Sequence, residues 1–179
     1  MKRPLGLEPF ADQSRVEHAL VVAGGVLACL VGYVGAAVLL FDLGVLDHGS
    51  LAGPRRIATV LASLTCWGYY TVAFVRGKGG PVPDVLAYPA ATMAVVPFAF
   101  RWIVFGPDWV GLRERFGFVI VRPEFLVDVA TFLLPGMALC ATLLTLWGSY
   151  LGEAELSAWQ RRHLSAEFRA AFVEGDGDA

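Results

Sequence analysis

Charge is what this chain has least of. Asp, Glu, Lys and Arg make up 17% of its 179 residues, against about 25% in ordinary water-soluble domains. The formal net charge is only −2, which excludes the basic field of a nucleic-acid binder. Lysine is scarcer still: the basic residues are two Lys and twelve Arg, in a background rich in Ala and Gly. That is the usage of a GC-rich genome and points to a salt-adapted prokaryote. Cysteine is sparse and odd in number. Cys29, Cys66 and Cys140 all lie inside apolar runs, which excludes a disulfide framework and leaves free, buried thiols. None of the three histidines (His18, His48 and His163) falls within such a run, so a haem held by two histidines inside the fold is not expected.

Catalytic motifs are missing as well. There is no phosphate-binding loop and no dinucleotide fingerprint. Asp47, His48 and Ser50 share one loop, but neighbours in sequence do not aim at one another as a triad does. Asp176 and Asp178 close too short a segment for a calcium loop of about twelve residues. The expectation is a protein that is not an enzyme and carries no cofactor.

Apolar side chains are what the chain does have. They form 56% of it, and the mean hydropathy is +0.60. A single small core cannot absorb that much, because small domains keep much of their surface against solvent. Lipid is the matching solvent. The fold expected is an all-α integral membrane protein, a bundle of four transmembrane helices followed by an amphipathic C-terminal helix.

Three parts follow along the chain. Residues 1–18 form a polar lead-in of mixed charge, residues 19–151 the membrane domain, and residues 152–179 a soluble tail. The spans are expected at 19–46, 57–75, 85–105 and 124–151. The first is too long for the roughly 7–15 apolar residues of a cleaved signal peptide, and so is a retained helix. The sequence Val26-Leu27-Ala28-Cys29 only loosely resembles a lipoprotein cleavage box, since the apolar run continues past it. The second span, flanked by Arg55-Arg56 and Arg76, contains no charge. The third contains Pro89, Pro97 and Arg101, and the fourth Pro135-Gly136; kinks are expected there, because neighbouring helices satisfy the freed carbonyls. Between them, Trp109 to Arg115 suits a short interfacial turn and Phe116 to Val121 has β-type composition. In the tail, Leu156, Trp159, Leu164, Phe168 and Phe172 recur at helical intervals. They predict one amphipathic helix over 153–173, lying on lipid or docking on a partner protein. The acidic end is expected to be disordered. No internal repeat suggests an inverted-repeat transporter.

Eight basic residues fall on the side of the lead-in, the second loop and the tail, and five on the other. The positive-inside rule then puts both termini in the cytoplasm of a cell-membrane protein.

Three constellations stand out. Asp42, Arg101 and Asp128 each lie about one turn inside a span end, and all three ends belong to one leaflet. A charge in hydrocarbon costs roughly 2.5–3.5 kcal/mol, so Arg101 is expected to pair with Asp42, Asp128 or both; the competing reading has it reach the headgroups beside Trp102 and Trp109. Gly24, Ala28, Gly32 and Ala36 form a ladder of small residues that would seat a neighbouring helix or a second copy of the chain. Cys29, Cys66, Met93, Met137 and Cys140 sit at similar depth. Met137 and Cys140 share one side of the fourth helix. Such sulfur donors select Cu(I), yet Met and Cys are also ordinary core fillers, and no metal is assigned to them here. For function two readings stand: a non-catalytic subunit, scaffold or anchor, and a small oligomeric transporter or channel.

Overall fold

The computed structural model describes residues 10, 14–41, 52–78, 84–107, 109 and 123–173, with the side chains of 41, 52, 84–86, 123–126, 128, 129 and 172 outside that description. Four of its helices are long and apolar enough to cross a bilayer. They are α1 (Arg15–Phe41), α2 (Ala52–Val75), α3 (Asp84–Phe105) and α4 (Pro123–Tyr150), followed by the short α5 (Glu153–His163) and α6 (Ala166–Phe172).

Local chemistry sets the helix ends. Ahead of α1, Ser14 and Glu17 form a capping box: the Glu17 N–H donates to Ser14 Oγ at 3.2 Å, and the Ser14 N–H donates to Glu17 Oε2 at 3.1 Å. Two otherwise orphaned donors are thereby satisfied, and the helix begins before the apolar run does. Helix α2 likewise starts ahead of the expected 57–75 and takes in Pro54, Arg55 and Arg56. Proline belongs in a first turn, where its missing N–H costs nothing. At its other end, Gly77 has φ +69°. Its N–H donates to the Phe74 carbonyl at 2.8 Å, and that of Lys78 to the Ala73 carbonyl at 2.9 Å. This pair of bonds is a Schellman cap, which requires the left-handed region that glycine enters freely. Gly106, at φ +84°, closes α3 just before Pro107. Both α3 and α4 remain helical through their prolines.

Helix α2 is the axis of the bundle and packs against α1, α3 and α4. Toward α1 the approach is backbone-close. A Cβ on Gly32 would sit 2.8 Å from the Ala62 Cα, and the Thr65 hydroxyl lies 2.9 Å from the Ala28 carbonyl across the seam. Toward α4, Ser63 Oγ donates to the Phe132 carbonyl at 2.7 Å. Pro135 leaves the carbonyl four residues before it without its usual partner within the helix, and the donor from α2 lies next to that position. One turn on, the fully buried Trp67 lies directly against Gly136, where a Cβ would overlap its indole.

The tail departs from expectation. Instead of one helix over 153–173 there are two, broken at Leu164 and Ser165. Leu164 is extended (φ −79°, ψ 140°) and makes an antiparallel bridge with Phe10, while Ser165 Oγ accepts from the Phe168 N–H at 3.1 Å and starts α6. A serine cap competes with helix continuation, and the break lets Leu164 bury. The apolar side of α5 folds onto the protein itself. Trp159 Nε1 donates to the Val75 carbonyl at 2.8 Å, and its ring packs edgewise or tilted on Phe10, Phe74, Trp147 and His163. Phe10, the end of α2 and the tail therefore share one end of the bundle.

The expectations for 1–9, for Trp109 to Arg115 beyond Trp109, for Phe116 to Val121 and for the acidic end lie outside the described residues.

Candidate functional site

Of the ionisable set, the structure describes one side chain. Arg101 lies on the last turns of α3 and is 8% exposed. It is thus enclosed by protein rather than extended along the outside. At the same helix end, Phe98, Trp102 and Trp109 meet edge to face in sequence at centroid separations of 5.2 and 5.1 Å. Asp128 lies in the second turn of α4 with its side chain outside the description, and Asp42 and the loop residues Asp47, His48 and Ser50 are outside it altogether.

The small-residue ladder faces α2. A Cβ on Gly24 would overlap the Tyr69 ring, Ala28 offers its carbonyl to Thr65, Gly32 touches Ala62, and Ala36 is buried. The occupant of the ladder is thus this chain's own second helix.

The sulfur atoms separate into two groups. Cys29 on α1, Cys66 on α2 and Met93 on α3 converge where those helices meet, at exposures of 0%, 0% and 4%. Cys29 Sγ stands 3.5 Å from Met93 Sδ, and Cys66 lies in the same buried cluster. Cys140 is buried on α4, whereas Met137 is 41% exposed. The expected common side for Met137 and Cys140 therefore does not hold. Residues three apart are rotated by about 60° on a helix, and the edge of the buried face falls between them. All the cysteines are free thiols.

Polar groups accompany the three sulfurs toward one end of the bundle. Tyr70, one turn past Cys66, holds its hydroxyl 3.4 Å from Thr92 Oγ1, beside Met93. The Tyr70 and Tyr88 rings are 6.2 Å apart, and the Tyr88 hydroxyl is 2.8 Å from His18 Nε2 at the start of α1. Sequence reasoning grouped the sulfurs by depth and missed this file of hydroxyls. Its signal was present in Tyr69-Tyr70 and Tyr88, aromatics with polar tips inside apolar runs. A shallow groove opens nearby between α1 and α2, walled by Leu20, Val72 and Tyr69 and edged by Glu17, Arg76 and Lys78.

Among the described residues no three His, Cys, Asp or Glu side chains come together as a metal site. The core arrangement can thus supply soft donors and weak hydrogen bonds. Comparison with protein-family models, with curated proteins and with solved structures finds no match to this chain.

Proposed function

We propose that this chain is a multi-pass protein of the cell membrane with both termini in the cytoplasm, serving as a non-catalytic subunit, scaffold or anchor for a larger assembly. One observation carries the reading. The seam of α1, α2 and α3 is closed by direct contact of small residues, with Cys29, Ala37, Ala58, Ala62 and Cys66 all at zero exposure. A solute pathway needs polar walls with room between them, and close-packed alanine and glycine leave none along this seam. Large apolar side chains such as Leu39 on α1, Ile103 on α3 and Leu134 on α4 face outward, as lipid contact requires. The gathering of Phe10, the α2 cap and the tail at one end is consistent with the alternation of four crossings.

Because Trp159 and Leu164 are turned inward, the surface that α5 offers to a partner protein is its polar one, where Glu153, Glu155, Arg161 and Arg162 are exposed. Extraction in mild detergent should recover the protein within a complex, and Arg161→Glu with Arg162→Glu should release it while membrane insertion persists. Recovery of a lone chain from native membranes would overturn the proposal.

The second reading, a small homo-oligomeric transporter or channel using Asp42, Arg101 and Asp128, draws on the enclosure of Arg101. Under it, purified protein in liposomes conducts a small ion or solute, and Arg101→Leu abolishes that flux without loss of folding.

A further inference from the structure

The geometry points to a Cu(I)-binding site at the centre of the bundle, formed by the thiols of Cys29 and Cys66 and the thioether of Met93. Three independent helices deliver these donors to one place, and each is almost completely withdrawn from the surface. The 3.5 Å between Cys29 Sγ and Met93 Sδ is a chelating separation. Two sulfurs bound to one ion at about 2.3 Å, with an angle near 100–120° between them, stand about 3.5–4.0 Å apart. Cys66, fully buried on α2 in the same core cluster, supplies the third sulfur.

The donor set selects the ion. A thioether is a poor ligand for hard cations; a zinc site would have Cys, His or a carboxylate in its place, and a calcium site oxygen ligands throughout. Thiolate with thioether suits Cu(I). Cu(II) prefers tetragonal nitrogen and oxygen ligands, so the sulfur set and the exclusion of water both favour the reduced ion. On binding, a Cys S–H bond gives way to a Cys S–Cu bond and the proton leaves. Loss of one proton balances the single charge of Cu(I), and loss of the second gives a centre of charge −1. The Tyr70 and Thr92 hydroxyls, 3.4 Å apart beside Met93, are polar groups at hand for the departing proton, and the paired Tyr88 and His18 lie further toward the bundle end, with the Tyr88 ring 6.2 Å from that of Tyr70. The inference is independent of whether the chain is a subunit, since it concerns only its own three side chains.

The test uses the full-length protein, purified anaerobically in detergent and titrated with Cu(I) against the chromogenic chelator bicinchoninate. One Cu(I) per chain should survive desalting. X-ray absorption should show sulfur-only ligation at about 2.3 Å, and affinity should fall as pH is lowered because protons compete for the thiols. Met93→Leu, close to volume-conserving and so compatible with folding, should weaken binding at least tenfold; Cys29→Ala should abolish retention; and Cys140→Ala, which removes the outlying thiol, should change nothing. No Cu(I) held by the folded wild-type chain overturns the proposal. So does affinity that is unaltered in Met93→Leu, or that is lost in Cys140→Ala alone.

Discussion

Gly32→Ala adds a single methyl group where two helix backbones nearly touch. The new Cβ would stand 2.8 Å from the Ala62 Cα and 3.0 Å from the Leu61 carbonyl oxygen, and would overlap the Thr65 hydroxyl. Carbon atoms at rest are about 3.5–4.0 Å apart, so α1 and α2 must separate by nearly an ångström. Overpacking of this kind costs about 1–3 kcal/mol. Displacing the Thr65 hydroxyl from the Ala28 carbonyl forfeits about 0.5–1.5 kcal/mol more. Against this, alanine is better than glycine within a helix by about 0.8–1 kcal/mol. The net loss is about 0.5–3.5 kcal/mol. Gly35 is the internal control. It lies on the same helix, and a Cβ there meets nothing within 4 Å, so Gly35→Ala should keep the propensity gain and stabilise. The two variants should differ by about 1.5–4.5 kcal/mol. Thermal unfolding in detergent, followed by far-ultraviolet circular dichroism, resolves such a gap at about 2–4 °C per kcal/mol. If Gly32→Ala melts at or above Gly35→Ala, the close approach of α1 and α2 is not what holds this seam.

Two other perturbations probe the ends of the bundle. Trp159→Ala removes the indole donor to the Val75 carbonyl and the ring packed on Phe74 and Trp147; limited proteolysis should then cleave between α4 and α6 much faster, with a stability loss of about 2–4 kcal/mol, somewhat below that of a fully buried tryptophan. Unchanged protection would mean that the tail is not held by this residue. Gly77→Ala forces an L side chain into the left-handed region, at about 1–2 kcal/mol, and drives its Cβ into the His163 ring. Hydrogen exchange should rise at the last turn of α2 and at the end of α5 together, and an effect confined to α2 would argue against their contact.

The helical architecture was legible because runs of uncharged residues about the length of a bilayer crossing leave few alternatives. The errors at helix starts have a common cause: polarity was read as loop. Ser14 and Glu17 are polar but form a cap, and Pro54 with Arg55 and Arg56 suits a first turn. The break at Leu164 was hidden because the apolar period runs straight across it; only Ser165, a capping residue within that pattern, marked the spot. At the sulfur site, sequence position fixed depth along each helix. Rotation about the helix axis is decided by neighbours, and it kept Cys29, Cys66 and Met93 together while turning Met137 out. The Thr65 and Ser63 hydroxyls, which donate across to α1 and α4, were equally beyond a single-helix reading, since their acceptors are backbone carbonyls that every residue possesses.

The bridge between Phe10 and Leu164 joins two residues that the ribosome adds far apart in time, with all four long helices made between them. Until the later one emerges, the ring of Phe74 and the carbonyl of Val75 wait uncovered at the mouth of α2. The clasp therefore closes only after Leu164 has been made, and a chain cut short before Trp159 would carry an open seam that quality-control proteases can recognise.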